Sequence, residues 1–446
     1  MNCNNQVVTI NKIVNGGYGM AEAPDGRKLF VRQCLPGETV AVEITEEKKR
    51  IYFGHAVQAH SPAPGRTSPP CPYYGRCGGC DLQHGDYPTQ LQLKDAILDD
   101  LLARSPLGAA IGLSGTVRPI IGADHPFGYR QRIRMRFDDQ GNPGFTHFRS
   151  HRTVAVKRCL LAAPPINECL AGLRGNAGFR HLASVTEEME LLLDELSNKV
   201  TLRLLLKRPV RPADRGHARE LTATLATLDR VFFHGRGFAQ EGPHGSGETK
   251  SNLLGFMIEG SDPLTLYWEV GGFSQVNPGQ NLKMIELVRR LVQPTSEDRI
   301  LDLYCGMGNF SIPLARQAAQ LVGVEGQGSA IRSARRNAKS NGLTNCSFQK
   351  SDVLSACREL SAGKDSFDTV VCDPPRQGLG PLAQLAADLA RRKLVYISCD
   401  PATLVRDLQV LVGCGLSIKT IQPVDMFPQT HHLETVVMLE KSRGGQ

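Results

Sequence analysis

Residues 299–310, RILDLYCGMGNF, decide how the chain is read. The apolar run Ile300 to Leu303 gives way to Cys305-Gly306-Met307-Gly308, then to the helical spacing of FSIPLARQA. That is a strand, a tight turn and a helix, with two glycines that let the backbone turn and approach a ligand. The alternation continues to residue 439. LVGVE, SFQKSD, TVVCDPP and LVYISCD read as strands. SAIRSARRNAKSNG, PLAQLAADLARR and TLVRDLQVLVGCG read as helices, and NLKMIELVRRLV is an amphipathic helix before the first strand. Alternating strands and helices predict a doubly wound α/β domain whose parallel sheet is covered on both faces.

Open sheets of this kind bind ligands at the carboxyl ends of their strands. Several polar residues gather there in the sequence. A dinucleotide turn would want a third glycine where Ser311 stands. Asp302 followed by Cys-Gly-x-Gly fits S-adenosylmethionine (SAM) instead, because a cationic sulfonium needs carboxylates and no phosphate cradle. Glu325 ends the next strand, roughly 20 residues on, the spacing for a carboxylate gripping a ribose diol. Asp352 ends the strand after that.

Two later strands end in CDPPRQG (372–378) and YISCDP (396–401), which puts Cys399 at the ligand-bearing edge. Arg376 replaces the aromatic residue that amino-methylating enzymes carry after Asp-Pro-Pro, which argues against amino-group methylation. DMFPQTHHLETVVML (425–439) brings Glu434 to the start of another strand, with His431 and His432 read as structural. Together these suit carbon-5 methylation of uracil. A thiolate adds to carbon 6, carbon 5 attacks a methyl donor, and a base removes the carbon-5 proton. Cys399 is the candidate nucleophile and Glu434 the candidate base. The thiolate is the reactive form, so the thiol needs a lowered pKa or proton transfer on addition.

The rest of the 446 residues is organised differently. Residues 1–60 alternate short β runs with glycine turns, which suggests a small barrel of the kind that holds RNA. SPAPGRTSPPCP (61–72) is a linker, and 87–105 has helical spacing. VTEEMELLLDELSN (185–198) reads as a short helix, followed by the strand KVTLRLLLKR. Residues 209–250 are rich in glycine and arginine and carry no clear periodicity. The chain is 41% hydrophobic and 22% charged, ordinary for a globular protein, and no apolar run is long enough to span a bilayer. No secretory signal is visible, so a cytoplasmic location and reduced thiols are expected.

A net charge of +8 is compatible with an acidic partner. Its concentration in 127–160, eight Lys/Arg against two acids, is more telling. In YRQRIRMRF, Arg130, Arg132, Arg134 and Arg136 alternate with other residues, so a strand would align all four on one face for RNA phosphates. Tyr129, Phe145, His147 and Phe148 lie nearby for base stacking.

Of thirteen cysteines, Cys3, Cys34, Cys346, Cys357 and Cys414 read as small buried hydrophobes. CPYYGRCGGC (71–80) differs, placing Cys71, Cys77 and Cys80 in one loop. With Cys159 as fourth thiol, or Cys169 as second choice, such a set could hold a [4Fe–4S] cluster or a zinc ion.

In motif content and order the chain resembles the bacterial RNA uracil-5-methyltransferase family, most closely its type acting on 23S ribosomal RNA. The resemblance rests on GYGMA, FVRQCLPGETV, CPYYGRCGGCDLQH, GYRQRIRMRF, FSQVNPGQN, DLYCGMGNF, DPPRQG, SCDP and DMFPQTHHLETV. It implies an RNA-binding TRAM barrel at 1–62 and a central α+β domain at 63–268 with the iron–sulfur loop, its helix packing on the catalytic domain. The SAM-dependent methyltransferase domain would occupy 269–446. It implies a [4Fe–4S] cluster on Cys71, Cys77, Cys80 and Cys159. SAM contacts would come from Gln275, the turn around Tyr304 and Gly306, Glu325 and Asp373. Cys399 would be the nucleophile, Glu434 the base and 5-methyluridine in 23S rRNA the product, with no membrane or obligate protein partner. Two positions depart from the family. Asp400 stands where Asn follows the nucleophilic Cys, and Gln429 where His is usual. An unfavourable charge beside the thiol follows unless Asp400 points away. Alternatives are a tRNA target, a cytosine-5-methyltransferase, a methylthiotransferase, and an RNA-binding protein with a redox-sensing cluster.

Overall fold

A computed structural model describes residues 6–108, 115–245 and 251–441. Cys3 and the end of the 209–250 segment lie outside the described residues. The chain forms three large sheets in succession, plus a hairpin of Leu253–Ile258 with Leu264–Glu269.

The first sheet has six strands between Gln6 and Ser61. Leu29 and Val31 of Lys28–Arg32, and Val40 and Val42 of Thr39–Lys48, point into one small core. Burial alternates along Lys28–Arg32, as it does in a strand with one face covered.

The second sheet has seven strands, from Arg132–Phe137 to Phe238–His244. Its core also takes Ile166, Leu170 and Leu173 of the helix Pro164–Gly175. Here one expectation fails. Residues 185–198 are not helical; Thr186–Asp194 is a strand, paired with Lys199–Leu206 on one side and Arg132–Phe137 on the other. Leu191, Leu192 and Leu193 are all buried, because helices and the Leu253–Glu269 hairpin cover both faces of this central strand. A continuous apolar run is what a doubly covered strand carries, and it imitates a helix over so short a span. The unassigned region holds a helix, Pro212–Thr224, and the strands Leu228–Gly235 and Phe238–His244.

The third sheet bears the candidate site. Its order is Cys346–Lys350, Gln320–Glu325, Arg299–Leu303, Phe367–Cys372, Ala390–Ser398, Glu434–Lys441, Leu416–Val424. The first five are parallel, as the alternation requires. Glu434–Lys441 runs antiparallel to both neighbours, so the sheet is mixed at this edge. The reason is length: residues 425–433 are too few for the crossover a parallel return needs.

The helix Tyr87–Ala103 is capped by Asp86, which accepts the Thr89 N–H at 2.9 Å. It docks on this third sheet. Leu98 and Leu102 share a core with Leu301 and Leu303. Lys94 Nζ meets Asp425 Oδ1 at 2.5 Å, both side chains 0% exposed. The Tyr87 hydroxyl donates to Asp425 Oδ2 at 2.8 Å. Among the described residues, no helix is long and apolar enough to cross a membrane. Cys34 and Cys357 are buried as expected, whereas Cys346 and Cys414 are partly exposed, on an edge strand and at a helix C-cap.

Candidate active site

The turn after Arg299–Leu303 has left-handed backbone at Tyr304 (φ 63°), Gly306 (φ 56°) and Gly308 (φ 88°). A side chain at Gly308 would meet Ile312 Cγ1 at 2.9 Å, so glycine serves both conformation and space there. Tyr304 adopts the same region without glycine's freedom, the kind of backbone strain that gathers at ligand sites. Below the turn, Asp302 is fully buried and takes a hydrogen bond from the Ser311 hydroxyl, while its Oδ1 has no partner. Burial pushes Asp302 up to about 7, with Asp373 and Glu325 adding to the shift. Burial likewise lifts Asp373 to about 7. Asp302, Asp373 and Glu325 thus lie near enough to act on one another, and Asp302 Oδ1 is buried without a hydrogen-bond partner.

The other expected contacts differ in kind. Glu325 accepts the Gln327 N–H at 2.7 Å. Asp352 caps the helix Val353–Ala362, accepting the Ser355 N–H at 2.9 Å, so part of its carboxylate serves its own helix. Gln275 is half-buried in the 270–277 loop. Arg132 Nη1 donates to the Gly272 carbonyl at 2.9 Å and fixes that loop. Phe273, two residues before Gln275, is 61% exposed. The sequence reading passed over it; the available signal was a lone aromatic between a Gly-Gly pair and polar residues.

Cys399 follows the strand Ala390–Ser398, and Glu434 opens the antiparallel strand beside it. Their ladder ends at the Ser398–Thr435 pair, so Cys399 and Glu434 come next in register on opposite strands. Burial pushes the Cys399 thiol up to about 12, with the charges of Glu434 and Asp373 adding and that of Arg376 opposing. Burial also raises Glu434 well above the usual carboxylate range, again with Asp373 adding and Arg376 opposing. A thiol, a buried carboxyl and an exposed guanidinium therefore share one electrostatic environment with the carboxylates below the turn.

Both departures from the family pattern are accommodated. Asp400 caps the helix Pro401–Gly413 and accepts the Thr403 N–H at 2.8 Å, so its charge is turned toward the helix. Gln429 exchanges hydrogen bonds with Gln90 of the Tyr87–Ala103 helix, at 3.0 Å in each direction. His432 packs edge-on against Phe427, and burial lowers it to about 4, so it is neutral at pH 7.

Cys71, Cys77, Cys80 and Cys159 line one mainly apolar cavity of about 50 Å³, with Tyr73, Arg130 and Phe145. Cys169, the second choice for a fourth thiol, is buried in the core of the second sheet. Among the described residues, no group of three or more His, Cys, Asp or Glu side chains is set to hold a metal ion. Burial pushes Cys77 up to about 11 and Cys80 up to about 12, and raises Cys159. Neighbouring thiols add to these shifts, and the charge of Arg130 opposes them.

Arg130 corrects the four-arginine face. It precedes the strand, bridges to Ala162, and lines the cysteine cavity with its Nε buried and unpartnered. Arg132, Arg134 and Arg136 do alternate on Arg132–Phe137. They are met by acids of the next strand: Arg132 and Arg134 pair with Glu190 at 2.6 and 2.9 Å, and Arg136 with Glu188 at 3.8 Å. Burial works to raise Glu190, but the two arginines hold it at about 2.

A family model described as tRNA (Uracil-5-)-methyltransferase matches residues 128–442. The chain belongs to the uracil-5-methyltransferase family. Among relatives of this family, the 23S rRNA (uracil(1939)-C(5))-methyltransferase RlmD of Edwardsiella ictaluri is 33% identical, over 98% of this chain and 96% of its own. The protein of the same description from Pseudomonas putida is 34% identical, over 98% and 93%. A Pyrococcus abyssi tRNA (uracil-54, C5)-methyltransferase, solved with S-adenosyl-L-homocysteine, shares the fold at a TM-score of 0.73 and 23% identity. That likeness covers 97% of this chain and all of that one.

Proposed function

We propose that this uracil-5-methyltransferase family member methylates carbon 5 of a uridine in 23S rRNA, using SAM, with Cys399 as nucleophile and Glu434 as base. The observation that carries the reading is the register of Cys399 and Glu434 at the edge that also bears Asp373. The RlmD relatives, matched nearly end to end, favour 23S rRNA over tRNA as target.

Cys399 Sγ adds to carbon 6 of the uracil, and the electrons of the 5,6 double bond move toward carbon 5 and O4. Its thiol is protonated at neutral pH, so that proton leaves as the carbon–sulfur bond forms. SAM supplies an electrophilic methyl, which carbon 5 takes as the neutral thioether departs. Glu434 then removes the carbon-5 proton; the double bond re-forms and the sulfur is expelled. A carboxyl raised so far is protonated at neutral pH until a cation binds near it. A sulfonium bound beside Asp302 and Asp373 would favour ionised Glu434 before methyl transfer; once the donor has become the neutral thioether, that carboxylate is a strong base for the carbon-5 proton.

The residues for the donor are Asp302, Glu325 and Asp373, with the Tyr304–Gly308 turn and Gln275 closing over it. The partnerless Asp302 Oδ1 supports this assignment. A base inside folded RNA must leave its stack to meet Cys399, and exposed Phe273 offers it an aromatic surface.

A [4Fe–4S] cluster on Cys71, Cys77, Cys80 and Cys159 is the finer part of the proposal. The support is that all four thiols line one cavity, and four thiolates are the ligand set such a cluster takes. Arg130, buried there with a free Nε, supplies the cation that a cluster with four thiolates, itself net anionic, calls for. Bound, the cluster would tie the 71–80 loop to the Cys159 segment. Transfer of labelled methyl from SAM to unmodified 23S rRNA fragments, with tRNA in parallel, tests the target. Label in 5-methyluridine of 23S rRNA supports it; label in tRNA alone overturns it.

A further inference from the structure

The Asp81 side chain holds the segment that leads to Glu434. Its Oδ1 accepts the His431 backbone N–H at 2.8 Å, and its Oδ2 meets His431 Nδ1. The same stretch grips from the other side, because the N–H groups of Asp81 and Leu82 both donate to the Gln429 carbonyl at 3.1 Å. Gln429 has left-handed backbone (φ 71°), so it needs such external support. Tyr129 adds a fifth tie, its hydroxyl donating to the Pro428 carbonyl at 3.0 Å. The Gly16-Gly17 turn of the first sheet closes over this point; a side chain at Gly17 would meet His431 Cβ at 2.9 Å.

Three parts of the chain thus converge on residues 428–431, which end three residues before Glu434. We propose that Asp81 is a positioning residue for the methyl transfer: through His431 it fixes the 428–434 segment so that Glu434 faces Cys399. The proposal rests on Glu434 being the base. It also gives the cysteine loop a mechanical task, since Asp81 directly follows Cys80.

A misplaced base slows the last step more than the first. Addition of Cys399 and methylation proceed, but the carbon-5 proton stays, and enzyme remains covalently bound to RNA. The experiment compares wild type, Asp81→Ala, His431→Ala, the double variant and Glu434→Gln, as full-length protein. It measures kcat, SAM and RNA dissociation constants, iron content, and covalent protein–RNA complex on denaturing gels. The expected result is a kcat lowered roughly 10–100-fold in Asp81→Ala and in His431→Ala, with both dissociation constants within about twofold of wild type. Covalent complex accumulates as it does in Glu434→Gln. The double variant is no worse than either single one, because the two residues act as one unit. His431→Ala leaves the cysteine loop's sequence intact, so it tests the pair even where Asp81→Ala loses iron.

Wild-type kcat in His431→Ala overturns the proposal. So does a lowered kcat without covalent complex, which marks a general structural defect. Glu434→Gln that accumulates complex while His431→Ala does not overturns the positioning role and spares the base. Glu434→Gln without complex overturns both.

Discussion

Cys399 follows the strand Ala390–Ser398 and Glu434 opens the antiparallel strand beside it, each one step beyond the Ser398–Thr435 pair where the ladder ends. The proposed chemistry needs a thiol on carbon 6 and a base at carbon 5, neighbouring atoms of one ring. Two residues next in register present their side chains on the same side of a sheet, about 5 Å apart at Cβ in such pairs. The antiparallel strand Glu434–Lys441 creates that arrangement, since a parallel neighbour would bring its carboxyl end, not its start, to this edge.

Turnover should rise with pH. Glu434 must be ionised to act, and burial holds it protonated well above the usual carboxylate range. Its basic form therefore grows as pH rises, and the Cys399 thiol, up at about 12, follows the same direction. The check is kcat/KM for SAM against pH between about 6 and 8, which reports the donor-free enzyme. A rate that falls over this range contradicts the assignment.

SAM binding should release protons. Asp302 and Asp373 titrate near 7 without the donor, and a sulfonium beside them favours their ionised forms. Affinity then weakens as pH falls below about 7, where both carboxyls are protonated. Calorimetry in buffers of different ionisation enthalpy reads the released protons directly. Asp302→Asn should remove part of the pH dependence, leaving the share that Asp373 carries, along with much of the affinity.

Cys159→Ala should abolish the iron content and visible absorbance of anaerobically purified protein. Cys169→Ala should retain both, because that thiol is buried in the core of the second sheet and does not line the cavity. Equal iron in the two variants contradicts the ligand set.

Lys94→Met should destabilise the protein by about 3–5 kcal/mol, the cost of leaving a buried partner charge unpaired. Lys94 and Asp425 are both inaccessible to solvent, and their pair joins the Tyr87–Ala103 helix to the third sheet. Chemical denaturation measures the loss, and removing both charges together should cost less than removing Lys94 alone.

The third sheet was legible in the sequence because its signals are local. Each strand is a short apolar run, each helix follows at once, and the glycine turn marks the ligand edge. The cysteine trio was legible by spacing alone. Thr186–Asp194 was not, because a strand buried on both faces loses the alternation that distinguishes it from a helix. Arg130 was misassigned for a related reason. The alternation of YRQRIRMRF is real from Arg132 onward, but nothing in it marks that the strand starts there and that Arg130 turns to the cysteines. The Asp81–His431 pair was out of reach altogether, since its partners are 350 residues apart and only folding brings them together.

The most direct test of the Cys399–Glu434 mechanism is tritium release from carbon-5-labelled uridine in unmodified 23S rRNA fragments, with SAM. The expected result is release by wild type, none by Cys399→Ala with SAM still bound, and methylated covalent complex without release in Glu434→Gln. Release by Cys399→Ala at the wild-type rate would contradict the mechanism outright.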